Sequence, residues 1–240
     1  EHPDCILLFR MGDFYETFFE DAKTVSRELN IVLTARGKDK VPLAGIPFHS
    51  IDPYLNKLVN KGHKVAIVEQ LEDPKKVKGR VVKRGLVRIV TPGTVIDDNA
   101  LDEKNNNFLV SISSYTEKTD KKFGISAIDL STGDFFVTEA DTVDELIGEV
   151  NKYRPSEIIV SATDEKKEWV KHLRNQRIIV NSFNDVFYYP DNCRLNLNRH
   201  FGTKSLKGYG IESKNSLVSA AGSIISYLKE TQMTELSNIS

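Results

Sequence analysis

Midway along the chain three strand-like runs follow one another with no helix between them: Phe108 to Ser114, Phe123 to Asp129 and Asp134 to Ala140. Their connections are polar or built of Ser, Thr and Gly, and are short enough for hairpins. The pattern then alternates. A helix with Val143, Leu146, Ile147 and Val150 inward precedes a strand Ile158 to Val160. A helix carrying Trp169, Val170 and Leu173, a strand Ile178 to Val180, and a last helix with Leu217, Ala220, Ala221, Ile224 and Leu228 complete the series. An order βββαβαβα restricts this half of the chain to a mixed α/β sheet domain.

The first hundred residues alternate differently. Ile6 to Phe9 reads as a buried strand, and Phe18, Ala22, Val25 and Leu29 recur at helical spacing. Ile31 to Leu33 reads as a second strand. Ser50 is placed to cap a helix that carries Ile51, Tyr54, Leu55, Leu58 and Val59 on one face, with Pro53 in its first turn and Gly62 at its end. Lys64 to Val68 and Val87 to Val90 are further strands. Asp97-Asp98-Asn99 and Asn105-Asn106-Asn107 interrupt the pattern with turn-favouring residues. The expectation is a mixed α/β domain over 1–104 followed by an α/β domain over 105–240, the latter with the strand and helix order of a ribonuclease-H-like domain.

Charge narrows the function. Lys plus Arg number 33 against 34 Asp plus Glu, so a strongly cationic DNA coat is excluded. The excess is local: Lys75, Lys76, Lys78, Arg80, Lys83, Arg84 and Arg88 stand between Pro74 and Ile96 with no acidic residue among them. Such a run attracts phosphates, or it is a solvated loop and strand edge kept soluble by Lys. No apolar stretch approaches the roughly 18 residues that span a bilayer, and Glu1-His2-Pro3-Asp4 offers neither an initiator Met nor a signal peptide. A cytoplasmic excerpt of a longer protein is expected. Cys5 and Cys193 allow one disulfide at most, cannot build a four-ligand zinc site, and suit a reducing compartment. No His has a partner at metal-ligand spacing; His49 and His63 read as surface or capping residues. No metal site is expected.

The segment Arg10-Met11-Gly12-Asp13-Phe14-Tyr15-Glu16 leaves a strand and turns at Gly12. Two readings of it stand side by side. In one, Asp13 is the N-cap and Glu16 the N3 partner of a capping box, with Phe14 ordinary core. In the other, Phe14 projects from a helix entrance to stack on a nucleobase, as apolar wedges do when they unstack and kink a duplex. Glu16, repelled by phosphates, would then need a directed hydrogen bond to a base edge, with its pKa raised by the negative field so that it can donate.

The run Ile6-Leu7-Leu8-Phe9-Arg10-Met11-Gly12-Asp13-Phe14-Tyr15-Glu16 resembles the mismatch-recognition motif of the MutS family of DNA mismatch repair proteins, including its Phe-x-Glu element. Collinear blocks extend the resemblance: Leu33-Thr34-Ala35-Arg36-Gly37, Pro42-Leu43-Ala44-Gly45-Ile46-Pro47-Phe48-His49, Val65-Ala66-Ile67-Val68-Glu69-Gln70 and Val87-Arg88-Ile89-Val90-Thr91-Pro92-Gly93-Thr94 are similar to successive parts of the same N-terminal domain. Leu195-Asn196-Leu197, Phe201-Gly202-Thr203 and Gly208-Tyr209-Gly210 are similar to the family's connector domain.

The resemblance implies a mismatch-recognition domain and a connector ending at the start of the lever region. It implies Phe14 as the aromatic inserted beside a mispaired or unpaired base, and Glu16 as the carboxylate that hydrogen-bonds it. Met11, Asp13 and Arg36, with Arg10, Pro42 and Leu43, match positions near the DNA. The family's loop after Arg36 is often longer than Gly37-Lys38-Asp39-Lys40-Val41, so no contact is carried over from it. The partners implied are double-stranded DNA with mismatches or small loops, MutL, and a second copy of the full-length protein in a DNA-associated dimer of a bacterial or archaeal cell. ATP and Mg belong to the full-length protein, and no cofactor is expected in this part. Phe201-Gly202-Thr203-Lys204-Ser205 fails as a P-loop, because Thr203 separates Gly from Lys and Leu197 stands where the first Gly belongs. No enzymatic activity is therefore expected here.

A rival from another class is a metal-dependent nuclease on the ribonuclease-H-like domain. Asp129 ends one strand, Asp134 begins the next, and Glu139 lies further along. Two-metal hydrolysis needs carboxylates converging on cations about 4 Å apart; the alternative is a hairpin turn that uses Asp and Gly for their backbone preferences.

Overall fold

Two mixed sheets organise the chain in the computed structural model, which describes residues 2–72, 82–95, 106–117, 120–233, 236 and 239. Each sheet belongs to its own compact unit, one of Glu1–Val95 with Thr231–Met233, the other of Ile96–Glu230 with Thr234–Ser240. Asp97-Asp98-Asn99 and the basic residues Lys75, Lys76, Lys78 and Arg80 lie outside the described residues.

The first unit has strands β1 (Cys5–Met11), β2 (Phe14–Phe18), β3 (Thr34–Arg36), β4 (Val41–Pro47), β5 (Lys64–Gln70) and β6 (Arg84–Val90), with helices α1 (Phe19–Leu29) and α2 (Ile51–Asn60). The sheet order is β3-β4-β2-β1-β5-β6. The β1–β5 pair is parallel and the other pairs are antiparallel. Strand alternation sends Ile6, Leu8, Tyr15, Ala44, Ile46, Val65 and Ile67 to one face, where they meet the helical stripes Ala22-Val25-Leu29 and Ile51-Leu55-Leu58-Val59. Both helices therefore lie on one side of the sheet.

Two sequence expectations are corrected here. Phe14–Phe18 is a strand, and α1 begins only at Phe19, after an N-cap Phe18 that makes no side-chain capping bond. Asp13 and Glu16 consequently form no capping box. The hairpin wins because β2 completes hydrogen-bonded ladders with both β1 and β4 while burying Tyr15 and Thr17, whereas a box satisfies two donors. Where β2 departs, the Asp21 carboxylate accepts the Leu7 N–H at 3.0 Å. The second correction concerns Ile31 to Leu33, which are irregular, with Val32 80% exposed; the strand starts at Thr34. Strand β4 escaped notice because Pro42, Gly45 and Pro47 weaken its strand signal.

The second unit contains β7 (Phe108–Glu117), β8 (Asp120–Asp129), β9 (Phe135–Ala140), α3 (Val143–Tyr153), β10 (Glu157–Ser161), α4 (Glu168–Asn175), β11 (Val180–Phe183), α5 (Pro190–His200) and α6 (Asn215–Gln232). Its order, β11-β10-β7-β8-β9, has an antiparallel meander at one side and parallel β10 and β11 at the other. This is the expected ribonuclease-H-like arrangement. Helices α3 and α4 cover Val110, Ile112, Phe123 and Ile125, while α5 and α6 cover Leu109, Ile128 and Ile159 on the other face. Helix α5 was not anticipated: of its eleven residues only Cys193 and Leu197 are buried, too few to mark a stripe.

The carboxylates of the nuclease reading have structural tasks. Asp129 is buried and accepts the Ser131 N–H at 2.8 Å, the Ser131 hydroxyl at 2.6 Å and the Asn107 N–H at 3.1 Å. Asp134 accepts the Thr132 hydroxyl, and Glu139 accepts the Ser216 hydroxyl. Gly133, at φ +81°, closes the turn. Among the described residues no group of three or more His, Cys, Asp or Glu is placed to hold a metal ion. Asp129→Asn is expected to destabilise this unit by about 1.5–3 kcal/mol, the range for hydrogen bonds to a charged group, read as a lower urea midpoint. Divalent-cation-dependent DNA cleavage that this variant abolishes would instead restore the nuclease reading.

Both cysteines are free and buried. Burial pushes the Cys193 thiol up to about 12 and the Cys5 thiol, aided by Asp4, up to about 11. Burial and the Glu69 carboxylate raise the Tyr15 phenol to about 12, and burial also raises Tyr188. Each group is held neutral by the fold and ionises earlier in the unfolded chain, where a thiol titrates near 9.0. Between those values the unfolded state binds fewer protons, so stability is fully present below pH 9 and falls as pH rises toward 11–12. Melting temperatures taken at intervals from neutral pH upward should decline across this window; a flat profile would refute the linkage. No helix among the described residues is long and apolar enough to cross a membrane.

Candidate nucleic-acid interface

The β1–β2 hairpin turns at Gly12, whose φ of +61° lies in the left-handed region that glycine occupies at little cost. Register sets the faces. Phe9 pairs with Glu16, Arg10 with Tyr15 and Met11 with Phe14. Tyr15 and Thr17 therefore point toward the helices and are buried, while Phe14, Glu16 and Phe18 point to the opposite face. Phe14 is 46% exposed. Its β4 neighbours are Pro47, directly opposite, and Gly45, where an added Cβ would lie 3.6 Å from Phe14 Cδ1.

The hairpin tip is tied from several sides. Arg10 Nε donates to the Gly12 carbonyl at 2.6 Å, the Phe48 N–H donates to the Asp13 carbonyl at 3.0 Å, and Arg84 Nε donates to the Arg10 carbonyl at 3.2 Å. The Arg10 guanidinium also lies 3.4 Å from the Phe48 ring centre, within cation–π range. Beneath it the Tyr15 hydroxyl donates to the Glu69 carboxylate. Three segments outside the hairpin, at Phe48, Glu69 and Arg84, thus fix the backbone that presents Phe14, and a ring so held would lose little entropy on engaging a ligand.

Glu16 is the second outward group. Its Oε2 accepts Arg36 Nη1 at 3.0 Å, with the Glu16 side chain 20% exposed and that of Arg36 59% exposed. Strand parity also places Leu43 and Arg36 on this face, and Met11 with Leu7, Phe9, Phe18 and Phe19 lines an open apolar pocket of about 450 Å³ there. Of the residues singled out from sequence, Phe14, Glu16, Met11, Leu43 and Arg36 are therefore on one face, and Asp13 sits exposed at the turn. Arg10 and Pro42 fall by register on the helix side of the sheet. Arg10 reaches the tip as a brace. Phe48 and Glu69 were missed as contributors, although each stands inside a block that carries the family resemblance.

His49 is exposed with its ring edge-on to Phe48, and His63 is half-buried. From the basic run, Lys83 and Arg88 are exposed on or beside β6 and Arg84 is engaged at the hairpin.

The description MutS domain I matches residues 1–99, and MutS domain II matches residues 107–240. A relative from Methanococcoides burtonii bearing the name DNA mismatch repair protein MutS is 46% identical over 250 residues, covering 100% of this chain and 27% of its own length. Relatives of the same name from Methanosarcina acetivorans and Lachnoclostridium phytofermentans are each 43% identical, covering 99% and 100% of this chain and 28% and 26% of their own lengths. The chain spans about a quarter of the length of these curated relatives.

Proposed function

This chain belongs to the MutS family, and we propose that its first unit reads mispaired or unpaired bases in duplex DNA. Phe14 is the wedge that enters a kinked helix, and Glu16 hydrogen-bonds the displaced base. A mispaired step stacks and pairs less well than a matched one, so kinking it costs less, and an inserted ring turns that deformability into affinity. The protein reads weakness of the helix, with no need for a basic surface. The observation that carries this reading is an exposed Phe14 on a hairpin tip held by Arg10, Phe48 and Arg84.

The second unit is proposed as a noncatalytic connector that relays the state of the DNA to the rest of the full-length protein and contacts MutL. ATP with Mg, and the second copy of a homodimer, act through parts of the full-length protein beyond these two units. The decisive comparison is affinity for a duplex with one mispair against its perfectly paired counterpart, using the full-length protein and its Phe14→Ala variant. An unchanged ratio would remove the wedge.

A further inference from the structure

We propose that Arg36 is an exchangeable counter-charge for Glu16, surrendered to a backbone phosphate when a mispaired duplex docks, so that the Glu16 carboxylate is released toward the base edge. This rests on the reading of Phe14 and Glu16 as the base-contacting pair. Glu16 lies on β2 and Arg36 on the edge strand β3, with β4 between them. The ion pair therefore crosses β4 on a diagonal, from Arg36 at the level of Val41 to Glu16 at the level of Gly45, and Gly45 puts no side chain beside the carboxylate.

An exposed pair of this kind contributes about 0–1 kcal/mol, since water and lost rotamer freedom offset most of its attraction. Among the described residues only Nη1 of Arg36 is engaged, and its other donors can take a phosphate in the bidentate mode that makes arginine–phosphate contacts strong. On a perfect duplex Phe14 stays out and no base edge is offered. A released Glu16 would then face phosphates with no partner, so the pair stays closed. On a mispaired duplex the freed carboxylate finds its base and Arg36 finds a phosphate. Arg36 thus acts as a positioning residue through Glu16, and the discrimination it gives is a difference between two complexes.

Counting released counterions tests this. Each phosphate neutralised adds about 0.9 to the slope of log affinity against log salt. With the full-length protein and two short duplexes, one with a single G·T mispair and one fully paired, titrated over about 50–200 mM salt, the wild-type slope should be steeper by about one phosphate on the mispaired duplex. Arg36→Gln should erase the difference by lowering the mispaired slope, and Arg36→Lys should largely keep it. Glu16→Gln should erase it from the other direction, by freeing Arg36 and raising the paired slope. Equal wild-type slopes, or an Arg36→Gln slope unchanged on the mispair, would overturn the exchange. If Phe14→Ala abolishes discrimination while the wild-type slopes coincide, the exchange alone fails; if discrimination survives Phe14→Ala, the underlying reading fails with it.

Discussion

Replacing Phe14 with Ala in the full-length protein should lower the affinity for a mispaired duplex by about 5- to 150-fold, close to the level of the perfect duplex. The magnitude follows from stacking of one base on an aromatic ring, on the order of 1–3 kcal/mol, with each 1.4 kcal/mol a factor of ten. The loss should fall almost wholly on the mispaired complex, because in the proposed reading the ring is not inserted on paired DNA and has nothing to lose there. Phe14→Tyr keeps a stacking face and should retain most of the preference, whereas Phe14→Leu, apolar without a π-face, should fall between Tyr and Ala. Stability is a useful second reading. Phe14 is half exposed on the side of the sheet away from α1 and α2, so its truncation should shift melting little, unlike a core aromatic at about 3–5 kcal/mol. A variant that loses binding while also melting early would point to a damaged fold instead of a missing wedge.

What the sequence disclosed about this region, and what it concealed, has a physical pattern. The stripes Ala22-Val25-Leu29 and Leu55-Leu58-Val59 were legible because helices that bury one face leave a 3.6-residue period. The meander β7–β8–β9 was legible because three strand-like runs follow one another through short polar or Ser-Thr-Gly connections with no helical stripe between them. Strand β2 was not, since Phe18 continues the helical spacing of α1 backwards and Asp13 with Glu16 imitates a capping box; pairing with β4, some thirty positions away, decides the matter. Strand β11 starts two residues later than periodicity suggests, with Ile178 only partly buried ahead of it. At the site, local sequence singled out Phe14 and Glu16. Their surroundings were out of reach: Arg36 meets Glu16 across β4, and Arg10 meets Phe48 through the fold of β4 back against the hairpin. Contacts that depend on sheet order leave no trace in residue spacing.

The largest effect on folding should come from Gly124→Ala in the second unit. Gly124 is on β8 opposite Ser113 of β7 and Glu139 of β9, and a Cβ there would lie 2.1 Å from the Ser216 carbonyl oxygen and 2.9 Å from the Leu217 nitrogen. Those are backbone atoms of the first turn of α6, so no rotamer change can relieve the clash. The turn is also anchored at that point: the Ser113 hydroxyl donates to the Ser216 carbonyl at 2.6 Å, and the Ser216 hydroxyl donates to Glu139. Admitting one methyl group requires α6 to lift off the sheet, breaking these bonds and loosening Leu217, Ala221 and Ile224 from the core. A cost of about 3 kcal/mol or more is expected, at the upper end of overpacking penalties. Gly148→Ala is the matched control. Gly148 lies inside α3 and, among the described residues, nothing beyond its own helix comes within 4 Å of the added carbon, so there the change should stabilise by about 0.5–1 kcal/mol through helix propensity. Opposite signs for the same chemical change would locate the effect in the α6 contact; equal melting of the Gly124→Ala variant and the parent would show that α6 can move without loss.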